Sequence, residues 1–312
     1  MDGAGPGGDL VFDAAGNLYG TAPAGGSSDG GVVFELVHGA KSWSYNILYE
    51  SASNTPILLD KAGNLYGAIG AGKYHGGAIA ELTPGSPYWT YSTVHSFDLR
   101  KGHHDGYDPL GALVLDASGN LYGTTKLGTD GAIVFELTPK PKTSSGEWTE
   151  HVLHRFPFYL YAGVIFDRAG NLYGATASGG ASNQNCPQGC GTIFELTRSS
   201  SGHWKETVLH EFPDFWNGAS PLGTLASDRA GNLYGTTAGG GKTQHCLGGC
   251  GVVFKMTHAA NGKWTYTVLH RFAGPDGANP QAGVTLDKKG NIYGTTVQGG
   301  AGGAGVVFEI TQ

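Results

Sequence analysis

Gly119-Asn120-Leu121-Tyr122-Gly123-Thr124-Thr125, followed by Ile133-Val134-Phe135-Glu136-Leu137, is written six times along this chain with small changes. The other copies are anchored at Asn17, Asn64, Asn171, Asn232 and Asn291, so successive spacings are 47, 56, 51, 61 and 59 residues. A period of this length marks a stacked repeat. Each copy holds four short runs rich in Val, Ile, Phe, Tyr and Thr between Gly-, Asn- and Asp-containing turns, and no long stretch has helical periodicity. In the fifth copy the runs are 224–228, 233–236, 252–256 and 264–272. One such sheet has too little core to stand alone, whereas six stacked around an axis bury one another's faces. The sequence therefore predicts an all-β, six-bladed β-propeller of four-stranded antiparallel blades. It reads as a single domain over 1–312, with blades at 9–51, 56–97, 112–156, 163–212, 223–272 and 283–312.

Fourth strands begin near Trp43, Trp89, Trp148, Trp204 and Trp264, which makes five, so the last blade is expected to lack its outer strand. Its third strand, Gly305, Val306, Val307, Phe308, Glu309 and Ile310, then offers free backbone donors and acceptors, and three explanations stand open: a fourth strand outside this sequence, a three-stranded blade, or a subunit-pairing edge that receives a strand from a neighbouring subunit.

Asp13, Asp60, Asp116, Asp167, Asp228 and Asp287 each stand four residues before the anchoring Asn, where a carboxylate can accept backbone N–H bonds from a tight turn. A residue used identically in every blade reads as scaffold rather than as six calcium or acid/base sites. The glycine after each Tyr reads as room for neighbouring sheets to approach. His95, His154, His210 and His270 share one place on the fourth strand, where blade 1 has Tyr49, and replacement by Tyr points to a packing or hydrogen-bonding role rather than a shared catalytic one.

Of 312 residues 55 are Gly, 14% are charged and 39% are apolar, so the chain is loop-rich yet has enough Val, Leu, Phe and Tyr for a core. A formal net charge of −6 without a Lys/Arg run argues against a nucleic-acid partner. No apolar stretch approaches the roughly 20 residues of a membrane span. Cys186 with Cys190, and Cys246 with Cys250, fall in equivalent loops of blades 4 and 5. Two local disulfides are expected, with a four-thiolate zinc site as the alternative. Disulfides place the protein in an oxidising compartment outside the cytoplasm.

The run Ala-Gly-Asn-Leu-Tyr-Gly-Thr-Thr, a Gly-Gly loop and Gly-Val-Val-Phe-Glu-Leu together resemble the GloVer-type ("choice-of-anchor") tandem repeat of bacterial extracellular proteins, and the strand order is similar to that of NHL-type propellers. The resemblance covers essentially the whole chain, and blade 2 departs most, with Ala78-Ile79-Ala80. It implies a secreted, bacterial, cell-surface protein and brings no catalytic residues with it.

The long variable loops share one propeller face. They carry His103, His104, Asp105, Tyr107 and Asp108, then Tyr159 and Tyr161, then Trp216. Aromatics beside Asp, Asn and His suit sugar stacking or protein contact. His103, His104, Asp105 and Asp108 are the best metal-ligand candidates, although they match no fixed ligand spacing. No cofactor is required, and Ca2+ is the ion considered. Gly26-Ser27-Ser28-Asp29-Gly30 lies in a Gly-rich loop between strands, so it reads as a chance match to a hydrolase elbow. The expectation is a non-enzymatic structural or surface-interaction propeller, self-associating or bound to surface proteins and glycans, as a filament subunit assembled by strand donation. A carbohydrate- or ligand-binding propeller is the alternative, and a propeller hydrolase or lactonase the third reading.

Overall fold

A computed structural model describes residues 3–4, 8–27, 29–50, 55–70, 72–98, 100, 105–128, 130–140, 147–259 and 261–312. Among them the fold is all-β and is that of a six-bladed β-propeller, with five four-stranded antiparallel sheets and a sixth of three strands. The only helix among the described residues is one 3-10 turn, Phe215–Asn217.

The chain forms two compact units, Met1–Arg155 and Phe156–Gln312. In the first, blade 1 is Val11–Phe12, Leu18–Ala22, Val32–His38 and Trp43–Glu50, and blade 2 is Leu58–Leu59, Leu65–Ile69, His75–Thr83 and Thr90–Asp98. Blade 3 is Val114–Leu115, Leu121–Thr124, Ala132–Thr138 and Thr149–Phe156. In the second unit, blade 4 is Ile165–Phe166, Leu172–Thr176, Thr192–Arg198 and Trp204–Glu211. Blade 5 is Ala226–Ser227, Leu233–Thr237, Val252–His258 and Trp264–Arg271, and blade 6 is Thr285–Leu286, Ile292–Thr295 and Val307–Ile310.

Only two residues of each first strand pair in the ladder, fewer than the sequence suggests, and in blades 4, 5 and 6 the residues just before them bond to a neighbouring blade. The Thr224 hydroxyl accepts from Gly163 N of blade 4 at 3.0 Å, and Thr236 Oγ1 donates to Ala282 O of blade 6 at 2.8 Å. Phe135 and Phe254, the aromatic of the repeat, are fully buried in the two units, packed with Ile133 and Leu121 in one and Val252 and Met256 in the other. Burial of such a ring stabilises the fold by about 2–3 kcal/mol.

The repeated turn takes the form Asp-x-x-Gly-Asn. In blade 4 Asp167 Oδ1 accepts from Ala169 N and Asn171 N at 2.8 and 2.9 Å, and Oδ2 accepts from Asn171 Nδ2 at 2.9 Å. Gly170 supplies the left-handed residue, φ 87°, as its counterparts do in every blade, whereas the anchoring Asn keeps ordinary backbone angles and contributes its side chain. Tyr173 Oη lies 3.2 Å from the same Asp167 carboxylate and donates to Glu195 on the third strand at 2.8 Å. The phenol is thus clasped between two acids, and blades 1, 2 and 3 repeat this with Tyr19, Tyr66 and Tyr122.

The glycine after each Tyr makes room within its own blade, not between blades. A Cβ on Gly174 would stand 2.5 Å from Phe194 Cζ, its cross-strand partner, and one on Gly235 would stand 2.6 Å from Phe254 Cζ. The aromatic ring lies across the glycine, so these two repeat positions are one packing device. Blade 2, with Ala80 in place of Phe, leaves Gly67 less crowded, its nearest neighbour being Ile57 Cγ2 at 3.3 Å.

Candidate functional site

The acids of the repeat are spent on the scaffold. A cleft of about 820 Å³ lies against the Asp turns of blades 4 and 5, lined by Asp167, Arg168, Glu195, Asp228 and Trp264. Burial pushes the Asp228 carboxyl up, but hydrogen bonds from Asn232, Tyr234 and Ala230 N outweigh it and hold it below the usual carboxylate range. An acid so held is a poor proton donor at neutral pH.

A different group of titratable side chains departs from the repeat. His95 on the fourth strand of blade 2, Asp105 in the loop that follows, and Glu150 on the fourth strand of blade 3 bring one nitrogen and two oxygens within 4.8 Å of one another. His95 Nε2 and Glu150 Oε2 are 3.8 Å apart, too far for a hydrogen bond. His95 Nε2 and Glu150 Oε1 are buried with no hydrogen-bond partner, and the Glu150 side chain is only 10% exposed. The Trp148 backbone hydrogen-bonds the imidazole, which stands edge-on to Phe97 at 4.9 Å. Asp105 accepts from Asp98 N at 3.3 Å.

Burial, then the neighbouring Asp105 carboxylate, pushes the Glu150 carboxyl up to about 8. Burial also holds His95 below its ordinary value, against the pull of Asp105 and Glu147. Both groups are therefore mostly neutral at pH 7, and their proximity is not an ion pair.

Of the sequence-predicted ligands, Asp105 joins this cluster. Asp108 instead pairs with Lys126 Nζ at 3.4 Å and sits at φ 60°, while His103 and His104 lie outside the described residues. Tyr107 pairs with Leu127 in a two-stranded ribbon beside blade 3. The sequence reading missed Glu150 and assigned His95 to packing or hydrogen bonding. The signal was present: Glu150 stands two residues after Trp148, as Glu206 does after Trp204, where Tyr45, Tyr91 and Tyr266 follow Trp43, Trp89 and Trp264. That tyrosine stacks on the residue at the histidine position of the preceding blade, Tyr91 on Tyr49 at 4.7 Å and Tyr266 on His210 at 4.1 Å. Glu150, like Glu206 of blade 4, puts a carboxyl where three blades have a ring, and beside Glu150 the loop acid Asp105 is also present.

On the second unit, Tyr159 and Tyr161 contact each other at 6.3 Å. Trp216 is 55% exposed, with the Arg271 guanidinium over its ring at 4.9 Å and Arg271 Nε donating to its backbone oxygen. Cys186–Cys190 and Cys246–Cys250 are disulfides with Cα–Cα distances of 5.1 and 5.2 Å, each closing its own loop, which excludes the four-thiolate zinc alternative. In blade 6 the third strand pairs with Ile292–Thr295 on one side, and among the described residues no strand pairs with the other. No helix among the described residues is long and apolar enough to cross a membrane.

Sheets of this order, repeated with the Asp turn and the clasped tyrosine, define a repeat-built β-propeller. Residues 129–312, more than half of the chain, match the Gloeobacter/Verrucomicrobia repeat, and the chain belongs to that family. No curated protein matches it in sequence. Similar solved structures include a protein from Lactobacillus plantarum, 14% identical, covering 98% of this chain and 88% of that one with a TM-score of 0.51. An ancestral GH74 enzyme is 11% identical over 97% of this chain and 41% of its own, with a TM-score of 0.64. A candidate 6-phosphogluconolactonase from Bacteroides uniformis is 12% identical over 100% and 86%, with a TM-score of 0.60. At these identities the likeness is one of fold.

Proposed function

We propose that this chain is a non-enzymatic, extracellular structural propeller that assembles through the open edge of blade 6, a strand of a neighbouring copy completing that sheet as in a surface filament. One observation carries the reading. Val307 is 81% exposed, whereas the residues at its position in the five completed blades, Val33, Ile79, Val134, Ile193 and Val253, are all buried under a fourth strand. An apolar strand edge left open in this way is a template for β-augmentation. The two disulfides fit an oxidising, extracellular setting. The commitment of the repeat acids to turns and clasps supports a protein without chemistry of its own.

The test is light scattering with electron microscopy on the native protein and on Val307→Lys. Regular polymers that the substitution reduces to monomers support the reading. A wild-type monomer at high concentration, or polymers indifferent to Val307→Lys, overturns assembly through this edge, and turnover of a lactone, ester or glycoside overturns the non-enzymatic assignment.

The exposed Trp216 ring, held by Arg271, favours a second reading as a glycan-binding surface, because a fixed aromatic face suits a sugar ring. Glycan-array binding lost on Trp216→Ala would establish it.

A further inference from the structure

We propose that His95 Nε2 and the carboxylates of Asp105 and Glu150 form a binding site for a divalent first-row transition cation, with zinc as the reference ion. This site is independent of the assembly edge.

The donor set is one imidazole and two carboxylates, a combination suited to a borderline cation. Its spacing is close to what coordination needs. Ligand atoms at about 2.1 Å from a tetrahedral ion are about 3.4 Å apart. Here His95 Nε2 to Glu150 Oε2 is 3.8 Å and the three donors lie within 4.8 Å, so small side-chain rotations close the shell. The elements carrying them are held in place: Trp148 N donates to Val94 O at 2.7 Å, fixing the two fourth strands to each other, and Ser96 N donates to Glu147 at 3.0 Å.

Two further observations point to a ligand rather than to a chance cluster. Glu150 Oε1 and His95 Nε2 are both buried without a hydrogen-bond partner, although buried polar groups in folded proteins are nearly always satisfied, and the Glu150 carboxyl is otherwise hydrogen-bonded to the Asp105 side chain. The internal repeat also gives a control. In blade 5 the corresponding loop acid, Asp276, takes His270 Nε2 directly at 2.9 Å, whereas in blade 4 His210 Nε2 is buried without a partner, as His95 Nε2 is. In blade 2 the histidine makes no such bond, and a second acid stands beside it. The imidazole is hydrogen-bonded by the Trp148 backbone, while Glu147 stands 3.8 Å from Nδ1, beyond hydrogen-bond reach, and accepts from Ser96 N instead.

The experiment uses the full chain, stripped with EDTA and dialysed, titrated with Zn2+ by calorimetry and with Co2+ by visible absorption. Wild type is expected to bind one ion with the absorption of a low-symmetry N/O site. Asp105→Asn, which keeps the side-chain shape, and Glu150→Tyr, which restores the residue of blades 1, 2 and 5, should each weaken binding roughly 100-fold while circular dichroism stays unchanged. Absence of binding by the wild type overturns the proposal, as does undiminished affinity in either variant.

Discussion

Asp228→Ala should destabilise the protein more than Asp167→Ala, although the two residues are the same position of the repeat. Each carboxylate accepts two backbone and one Asn side-chain hydrogen bond within its turn, at 2.7–2.9 Å. These bonds are near the surface, where water can replace them, so their loss costs about 0.5 kcal/mol each, about 1.5 in all. The phenol decides the difference. Tyr173 retains Glu195 as an acceptor at 2.8 Å when Asp167 is removed, and the crowding of two carboxylates around one hydroxyl is relieved. In blade 5 the Glu position is Lys255, whose ammonium lies over the Tyr234 ring at 5.2 Å, and the Tyr234 hydroxyl donates to Asp228 alone. Tyr234 is 2% exposed, so Asp228→Ala strands a buried hydroxyl at a further cost of about 1–2 kcal/mol. The expected losses are about 1.5 kcal/mol for Asp167→Ala and about 3 kcal/mol for Asp228→Ala, read from the urea midpoint and slope followed by tryptophan fluorescence. Because the folded Asp228 carboxyl lies below its ordinary 3.8, its contribution is present above that pH and fades as pH falls through the folded value, so the gap should narrow in acid. Equal losses at pH 7, or a larger one for Asp167→Ala, would refute the clasp as a source of stability.

The packing device gives a second contrast: Gly174→Ala, with its Cβ 2.5 Å from Phe194 Cζ, should cost about 3 kcal/mol, and Gly67→Ala, at 3.3 Å from Ile57, under about 1 kcal/mol in the same unfolding assay. His210 supplies a pH test. Burial holds its imidazole at about 4 against an ordinary 6.5, so the unfolded chain takes up the proton first and stability should fall from pH 6.5 to pH 4. Discounted for its partly exposed ring, the loss is about 1–2 kcal/mol. His210→Tyr, which reproduces the Tyr49–Tyr91 stack, should flatten that slope with little change at pH 7.

The propeller was legible because the Asp turn, the Tyr-Gly pair and the Val-Val-Phe run recur in one order, and only a blade accommodates that order. The disulfides were legible because each loop holds its own pair of cysteines. The partner of the Tyr-following glycine was not, since the sequence cannot say that Phe194 crosses Gly174 in the same sheet rather than in the next. Glu150 was hidden for a related reason. It lies 55 residues after His95, and only blade stacking sets the histidine position of one blade against the position two beyond Trp in the next. Aligning the blades with one another, instead of scanning each loop for adjacent ligands, would have found it.

Departures from the repeat differ in how the structure compensates them. Lys255 replaces an acid of the clasp and finds the Tyr234 ring; Ala80 replaces a phenylalanine and leaves a small apolar gap of about 30 Å³ beside Ile57 and Tyr66. Glu150 stands where three other blades have an aromatic, a buried carboxyl whose Oε1 has no partner and whose compensation is the neighbouring Asp105 side chain and the Arg155 charge. A buried, unsatisfied polar group costs about 1–3 kcal/mol. Without metal, therefore, Glu150→Tyr should be more stable than wild type by about 1–2 kcal/mol, since the ring can stack on His95 as Tyr266 stacks on His210. With Zn2+ in excess the order should reverse, because the ion stabilises only the chain that binds it, by about 2.7 kcal/mol at a hundredfold over Kd. Thermal unfolding of both proteins with EDTA and with Zn2+ reads the crossing directly. A variant less stable than wild type in EDTA would mean that Glu150 contributes to folding as it stands, and the argument from its unsatisfied oxygen would fail.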